Sequence, residues 1–383
     1  MSSNLRTPVS GAGPPGEARD AKSKTVERLA NDFRIGQAMK VIMAEEELPT
    51  AAEVLEVLRS KVTTPSAEEL ERRSLQSDQI AVTKGEPMSL INKKTVLRTV
   101  RVMSKQAATC IDGWNPQLLL QAMKGDATLA EDITSLLNII LRQEIGKDGI
   151  DALGTGRIVG IPSGGKIRPI TVSNFWLKLL GACVIEETKP KVSYHQYAFG
   201  VKRGTTIVAH AVKHNFDDGK AIVKLDMRNA FHEASRSRIR DAIAHEDPKI
   251  RKYFELVYGN DFDLIFYTGR GHTAIPFLEG VRQGDPMSSF FFCKLMDEVM
   301  GNIISRCSTS GFIPEIYAFM DDLTICVDKG IAELATQHAV ESITQIGLHV
   351  NIGKSAIHAK GVWNGQLLGG IEKQNSTHQF VLM

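Results

Sequence analysis

No two cysteines in this chain have C-x-x-C spacing, and their number is odd: Cys110, Cys183, Cys293, Cys307 and Cys326 stand apart. That scatter argues against a zinc site on paired thiolates and against a disulfide framework, so a reducing, intracellular setting is expected. An excess of one charge sign is also lacking. The 46 Lys and Arg nearly cancel the 44 Asp and Glu, leaving a net charge of +2. Bulk charge therefore says little for nucleic acid, and local basic clusters must carry that case. No apolar run is long enough to span a bilayer. The opening Met1-Ser2-Ser3-Asn4-Leu5-Arg6 holds no secretory apolar core. There is no internal repeat.

What is present is globular. The chain has 383 residues, 43% of them hydrophobic and 23% charged, which allows a sizeable core in two or three domains or subdomains. Residues 1–25 are rich in Gly, Pro, Ser and charge and read as a disordered tail. From about Thr25 to Arg73 a helical pattern punctuated by Pro49 and Pro65 reads as an extension packed on the main body. A second helix is expected from Asn92 to about Gln106. Its Lys93, Lys94, Arg98, Arg101 and Lys105 form either a solvated face or a phosphate contact. Two amphipathic helices follow, near Pro116–Met123 and Ala130–Arg142.

Three stretches point to chemistry. Arg157–Pro162 and Ile167–Val172 read as a hairpin around Ser163-Gly164-Gly165-Lys166. Its Arg157, Lys166 and Arg168 suit a triphosphate, although a solvated basic hairpin has the same look. Ala221–Leu225 reads as a buried central strand ending in Asp226, either a metal ligand or a turn Asp. Tyr317–Cys326 reads as a second hairpin whose turn carries Asp321 and Asp322. Adjacent like charges at a rigid tip are tolerated beside a dication, but Asp-Asp is also a common solvated turn. Between these, Arg282-Gln283-Gly284-Asp285-Pro286 leads into an apolar helix, with Asp285-Pro286 as its start. Residues 235–252 are basic and read as helical. A helix near Ala332–Ile346 and a strand-like Leu367–Ile371 close the chain.

The order of these pieces resembles the catalytic palm of reverse transcriptases, nearest to non-LTR retrotransposon (LINE-like) enzymes, with group II intron and retron enzymes as relatives. The resemblance rests on Asp226 with Asn229-Ala230-Phe231, Arg282–Pro286, and Phe319-Met320-Asp321-Asp322-Leu323. Ile111-Asp112-Gly113-Trp114, Lys166–Ile170, Tyr197-Ala198-Phe199-Gly200 and Gly347–Asn351 with Lys354-Ser355 support it in the family's order. Departures are Met320 in place of Ala, Ser289 in place of Pro, and Cys110 in place of Gly or Pro; none removes a charge.

The resemblance implies an α+β right-hand polymerase, with a palm of antiparallel sheet backed by helices, fingers, and a helical N-terminal extension. The expected division is a tail at 1–25, the extension at 26–104, fingers at 105–215 and palm at 216–383, with a fingers-like insertion at about 235–275. The few residues after Ile371 leave no room for a thumb. The implied activity is RNA-directed DNA synthesis from dNTPs on an RNA template with a DNA or RNA primer and no membrane. Asp226, Asp321 and Asp322 would be catalytic, holding two Mg²⁺ ions (or Mn²⁺) with the Met227 carbonyl as a further ligand. Arg157, Lys166, Arg168, Gln283 and Gly284 would contact the nucleotide. Phe231 would exclude a ribose 2′-hydroxyl or serve as a core aromatic, and Lys354 would donate a proton. The rival readings are an RNA-dependent RNA polymerase and a catalytically incomplete remnant that only binds nucleic acid.

Overall fold

The Thr50 hydroxyl accepts the Glu53 N–H while the Glu53 carboxylate reaches back to the Thr50 N–H, a reciprocal cap that starts the first helix. The computed structural model describes residues 50–104, 109–126, 128–163, 166–268, 271–361 and 371–376. The expected tail at 1–25, the start of the extension, the Gly164-Gly165 turn and the stretch 367–370 lie outside the described residues.

Helices α1 (Ala51–Lys61), α2 (Ala67–Leu75), α3 (Ser77–Gly85), α4 (Lys93–Val102), α5 (Pro116–Gly125), α6 (Leu129–Leu141) and α7 (Lys147–Gly154) come first. The hairpin β1 (Gly156–Ser163) and β2 (Lys166–Val172) follows, then α8 (Phe175–Thr188) and α9 (Gly204–Asp217). Next are β3 (Ala221–Leu225), α10 (Ala230–Glu233), α11 (Arg236–Ala242), α12 (Pro248–Tyr258), β4 (Phe262–Thr268) and β5 (Gly271–Phe277). The chain continues through α13 (Ser288–Thr309), β6 (Glu315–Phe319), β7 (Asp322–Val327), α14 (Ala332–Gln345), β8 (Ala356–Lys360) and β9 (Glu372–Ser376).

The fold is a mixed α+β one with two sheets. One runs in the order β6-β7-β3-β8-β9, antiparallel except for the parallel pair β8–β9. The other runs β2-β1-β4-β5, so the hairpin at 262–277 joins the hairpin at 156–172 through a parallel β1–β4 contact. Alternation on β3 decides its two faces. Ala221, Val223 and Leu225 enter the main core, while Ile222 packs with Val212, Phe216 and Cys326 under α9. The long α13 is the spine of that core. Phe290, Phe291, Phe292, Leu295, Met296, Val299 and Ile303 on it are fully buried.

Three details depart from expectation. Among the described residues the last strand is Glu372–Ser376, beside β8, a strand whose Ala356-Ile357-His358-Ala359-Lys360 carries little β signal. Pairing with β3 overrides that weak propensity. Helix α13 opens at Ser288, two residues after Asp285-Pro286; Asp285 accepts the Met287 N–H at 3.5 Å and the Ser288 N–H at 3.3 Å there, while its carboxylate is also held by two tyrosines. Helix α4 ends at Val102, with the Met103 N–H closing it on the Thr99 carbonyl, and Gln106 lies outside the described residues.

Candidate active site

The β6–β7 hairpin turns on two residues, because Phe319 pairs directly with Asp322. Such tight turns require a positive φ, and Met320 supplies it at 56°. A side chain at that angle is strained and needs support. The buried Gln196 gives it, its side-chain oxygen accepting the Met320 N–H at 2.9 Å. Residues 195–197 run along β6, where the Ala318 N–H donates to His195 and the Tyr197 N–H to Ala318. Asp321 is thus at the apex of a braced turn, and Asp322 begins β7.

Register brings Asp226 to the same place. Leu225 pairs with Leu323, so the next residues, Asp226 and Asp322, face each other where the two strands end. Asp226 is held on every side by the segment after α14. Its N–H donates to the Ser355 hydroxyl at 3.1 Å and its carbonyl accepts the Asn351 N–H at 2.7 Å. One carboxylate oxygen accepts the Asn351 side-chain amide at 2.8 Å, and the other lies 3.7 Å from the Lys354 ammonium. Met227 bridges Val350, but the hydrogen bonds of that bridge use Asp226 and Arg228 on one side and His349 and Asn351 on the other.

The electrostatics record the crowding. Burial raises the Asp321 pKa, and the charges of Asp322 and Asp226 add to it against the pull of Arg168. Partial burial also raises Asp322, and Asp226 adds to that while Lys224 and Lys354 oppose it. Three carboxylates therefore meet where none is fully neutralised by the protein. Among the described residues no group of three or more His, Cys, Asp or Glu side chains is arranged to hold a metal ion by itself. Asp226, Asp321 and Asp322 thus lie within Coulombic reach of one another at the strand ends.

The other expected residues are distributed around these acids. Lys166 and Arg168 are exposed on one face of β2, Lys166 at the hairpin tip and Arg168 within Coulombic reach of Asp321. Arg157 is at the opposite end of the hairpin, paired with Val172 and half-buried. Six residue steps separate those ends, about 20 Å at strand rise. Gln283 is half-buried and its carbonyl accepts the Thr171 N–H at 2.7 Å. Gly284 has φ +119, and a Cβ there would be 2.2 Å from the Thr171 oxygen, so only glycine lets this loop lie against β2. Phe231 is half-buried and stacks on Phe292 at 4.7 Å between ring centroids. Neither Gln196 nor the Asn351 contact with Asp226 was visible from spacing, since both act across the chain.

A family model described as reverse transcriptase (RNA-dependent DNA polymerase) matches residues 161–377, more than half of the chain. Curated relatives include the Retrovirus-related Pol polyprotein from type-1 retrotransposable element R2 of Popillia japonica. It is 26% identical over 204 residues, covering 49% of this chain and 29% of the relative. The Retrovirus-related Pol polyprotein from type-2 retrotransposable element R2DM of Drosophila melanogaster is 26% identical over 203 residues, covering 49% of this chain and 19% of the relative. The chain thus spans less than a third of the length of these relatives.

Proposed function

The chain belongs to the reverse transcriptase (RNA-dependent DNA polymerase) family, and from that premise we propose that it is the RNA-directed DNA polymerase of a non-LTR-type retroelement. Its substrates on this reading are dNTPs, an RNA template and a DNA or RNA primer. The observation that carries the proposal is the meeting of Asp226, at the end of the central strand, with Asp321 and Asp322 at the braced tip beside it.

Reverse transcriptase domains generally use divalent metal ions, and we take these to be two Mg²⁺ held by Asp226, Asp321 and Asp322 with the Met227 carbonyl. The mutual repulsion of these acids, which raises Asp321 and Asp322 on top of burial, supports that role. Bound there, the ions supply the positive charge that activates the primer hydroxyl and stabilises the departing pyrophosphate. The protein's own part is positional. Asn351 and Ser355 fix Asp226 in one orientation, and Gln196 fixes the turn that presents Asp321. Lys166 and Arg168 face outward from β2 and would grip the phosphates, with Arg157 contributing at the base of the hairpin. Gln283 and Gly284 would line the nucleotide pocket. Phe231, stacked on Phe292, presents a fixed ring edge that suits exclusion of a 2′-hydroxyl. Lys354, 3.7 Å from Asp226, is the candidate proton donor.

By this division the tail is 1–25, the extension 26–104, the fingers 105–215 and the palm 216–383, with 235–275 returning to the fingers. The shared sheet of 156–172 and 262–277 supports the last point.

Primer extension on an RNA template with dNTPs and Mg²⁺ tests the proposal. Asp321→Asn should lose extension by about a hundred- to a thousandfold, the scale set by removing a main electrostatic element of a site, while template–primer binding persists. Extension by the mutant at the wild-type rate would exclude Asp321 from the chemistry. Incorporation of NTPs in preference to dNTPs would favour the RNA-polymerase reading.

A further inference from the structure

Behind the loop at Arg282–Asp285 is a buried group to which the chemistry above gives no task. Asp285, itself buried, accepts the Tyr253 hydroxyl at 2.5 Å on one carboxylate oxygen and the Tyr258 hydroxyl at 2.6 Å on the other. The Tyr258 oxygen also accepts the Arg282 N–H at 3.2 Å. Both tyrosines come from α12 and both are fully buried. The Arg282 guanidinium, fully buried as well, lies over Phe262 and Phe277 at 5.4 and 5.8 Å. A buried anion with two phenol donors and a buried cation close by is a locked unit, since loss of one donor strands a charge away from water.

The lock has a second component. Gly181 on α8 faces the Tyr253 ring, and a Cβ at that position would be 2.7 Å from the Tyr253 oxygen. Glycine here leaves the space that the hydroxyl occupies. On its other side the same loop is fastened to β2 by the Thr171–Gln283 hydrogen bond and by the close approach of Gly284 to Thr171. The loop is therefore gripped from behind by α12 and in front by the strand that carries Lys166 and Arg168.

We propose that Tyr253 and Tyr258 are positioning residues for the incoming nucleotide, whose hydroxyls fix Asp285 and thereby hold Gln283 and Gly284 at a set distance from the phosphate-gripping strand. This rests on the reading of Gln283 and Gly284 as nucleotide-pocket residues. Neither tyrosine touches substrate. The pair acts on the loop through Asp285 and, for Tyr258, through the Arg282 N–H as well, with the Tyr253 hydroxyl also 3.3 Å from the Leu177 carbonyl, so its effect belongs to nucleotide binding rather than to the chemical step.

Two measurements on Tyr253→Phe, Tyr258→Phe and Gly181→Ala test it in the full chain. The first is hydrogen–deuterium exchange of the peptide covering 279–287, which needs no catalysis. Exchange there should quicken in each variant while β3 and β6–β7 keep wild-type protection; unchanged exchange overturns the lock. The second is steady-state primer extension. KM for dNTP should rise about three- to tenfold, the scale of one ordinary hydrogen bond, with kcat and KM for template–primer within about twofold of wild type. In an Asp285→Asn background Tyr258→Phe should add less than it does in the wild type, keeping only the part that comes from the lost acceptor of the Arg282 N–H. A lowered melting temperature with an unchanged KM for dNTP would make the tyrosines merely structural and overturn the proposal. If the wild-type chain extends no primer, the polymerase reading falls, and the exchange result alone decides whether the tyrosines hold the loop.

Discussion

Single residues in this protein are constrained by what burial does to charge. The ring of His232 is fully buried against the Phe277 edge, and burial, with Lys61 nearby, pulls its pKa from 6.5 down to about 4. The folded protein thus keeps this histidine neutral while the unfolded chain protonates it. Its contribution to stability is present above pH 6.5 and is lost as pH falls toward 4. His232→Leu should therefore flatten the acid limb of the stability curve. Between pH 7 and pH 4.5 the wild type should lose on the order of 2 kcal/mol more than the mutant, as thermal melts would read. An equal loss in both proteins would exclude His232 as the cause. Asn351 illustrates a different constraint. A carboxylate at a strand end has several rotamers, and hydrogen bonds from the Asn351 side chain and backbone leave Asp226 one.

At the level of elements, the N-terminal helices are integral to the body. Glu69 on α2 is buried and accepts from the Ser235 and Ser237 hydroxyls at 2.6 Å each, from the Ser237 N–H at 2.9 Å, and from Arg73 at 2.9 Å. Arg73 in turn reaches Glu279 at 2.8 Å. One turn later Gln76 joins the buried Arg240–Glu255 pair at 2.7 Å. These bonds tie α2 to α11 and to the approach of the Arg282 loop. Glu69→Ala would leave the Arg73 Nε–H and two buried serines without their carboxylate acceptor, and should cost about 3 kcal/mol, the low end of the range for breaking a buried charged group's partners. Denaturant unfolding checks this; a loss under 1 kcal/mol would mean that the helices are only draped on the surface. The basic helices at 235–252 carry a related lesson. Their charge would place them on the surface by composition alone, yet Arg236, Arg240, Lys249 and Lys252 are buried and partnered within the protein.

For the whole molecule, one apolar cluster runs from Val54 and Leu58 on α1 through α13 to Ile357 and Ala359 on β8. Both sheets border it. Continuity of this kind predicts cooperative unfolding, because no part can leave without exposing apolar surface of the next. Calorimetry on residues 50–383 should show one main transition, and Glu69→Ala should shift it whole. A separate early transition for α1–α3 would show that the extension folds on its own. The wrap of the chain also sets the site. The strand-end acid comes from residue 226, its clamp from 351–355, its partner acids from 321–322 and the brace from 196. No two of these are neighbours in sequence.

The sequence by itself determined the local pieces. The apolar run Ala221–Leu225 ended in an acid, the acids Asp321 and Asp322 stood between two β-prone runs, and the glycine-containing hairpin carried Lys166 and Arg168 on its outer face. These were legible because strand length, turn chemistry and burial period are properties of a few adjacent residues. Only the tertiary structure decided which of them meet. Strand β8 lacks a β signal and exists because β3 offers it an edge. Asp285 follows a helix-start pattern, and two tyrosines from 253 and 258 also hold its carboxylate. Arg157 and Lys166 belong to one hairpin in sequence and to its opposite ends in space. The reason is the same in each case. Long-range pairing and burial are free-energy terms of the folded ensemble of contacts, and a residue's neighbours in the chain do not contain them.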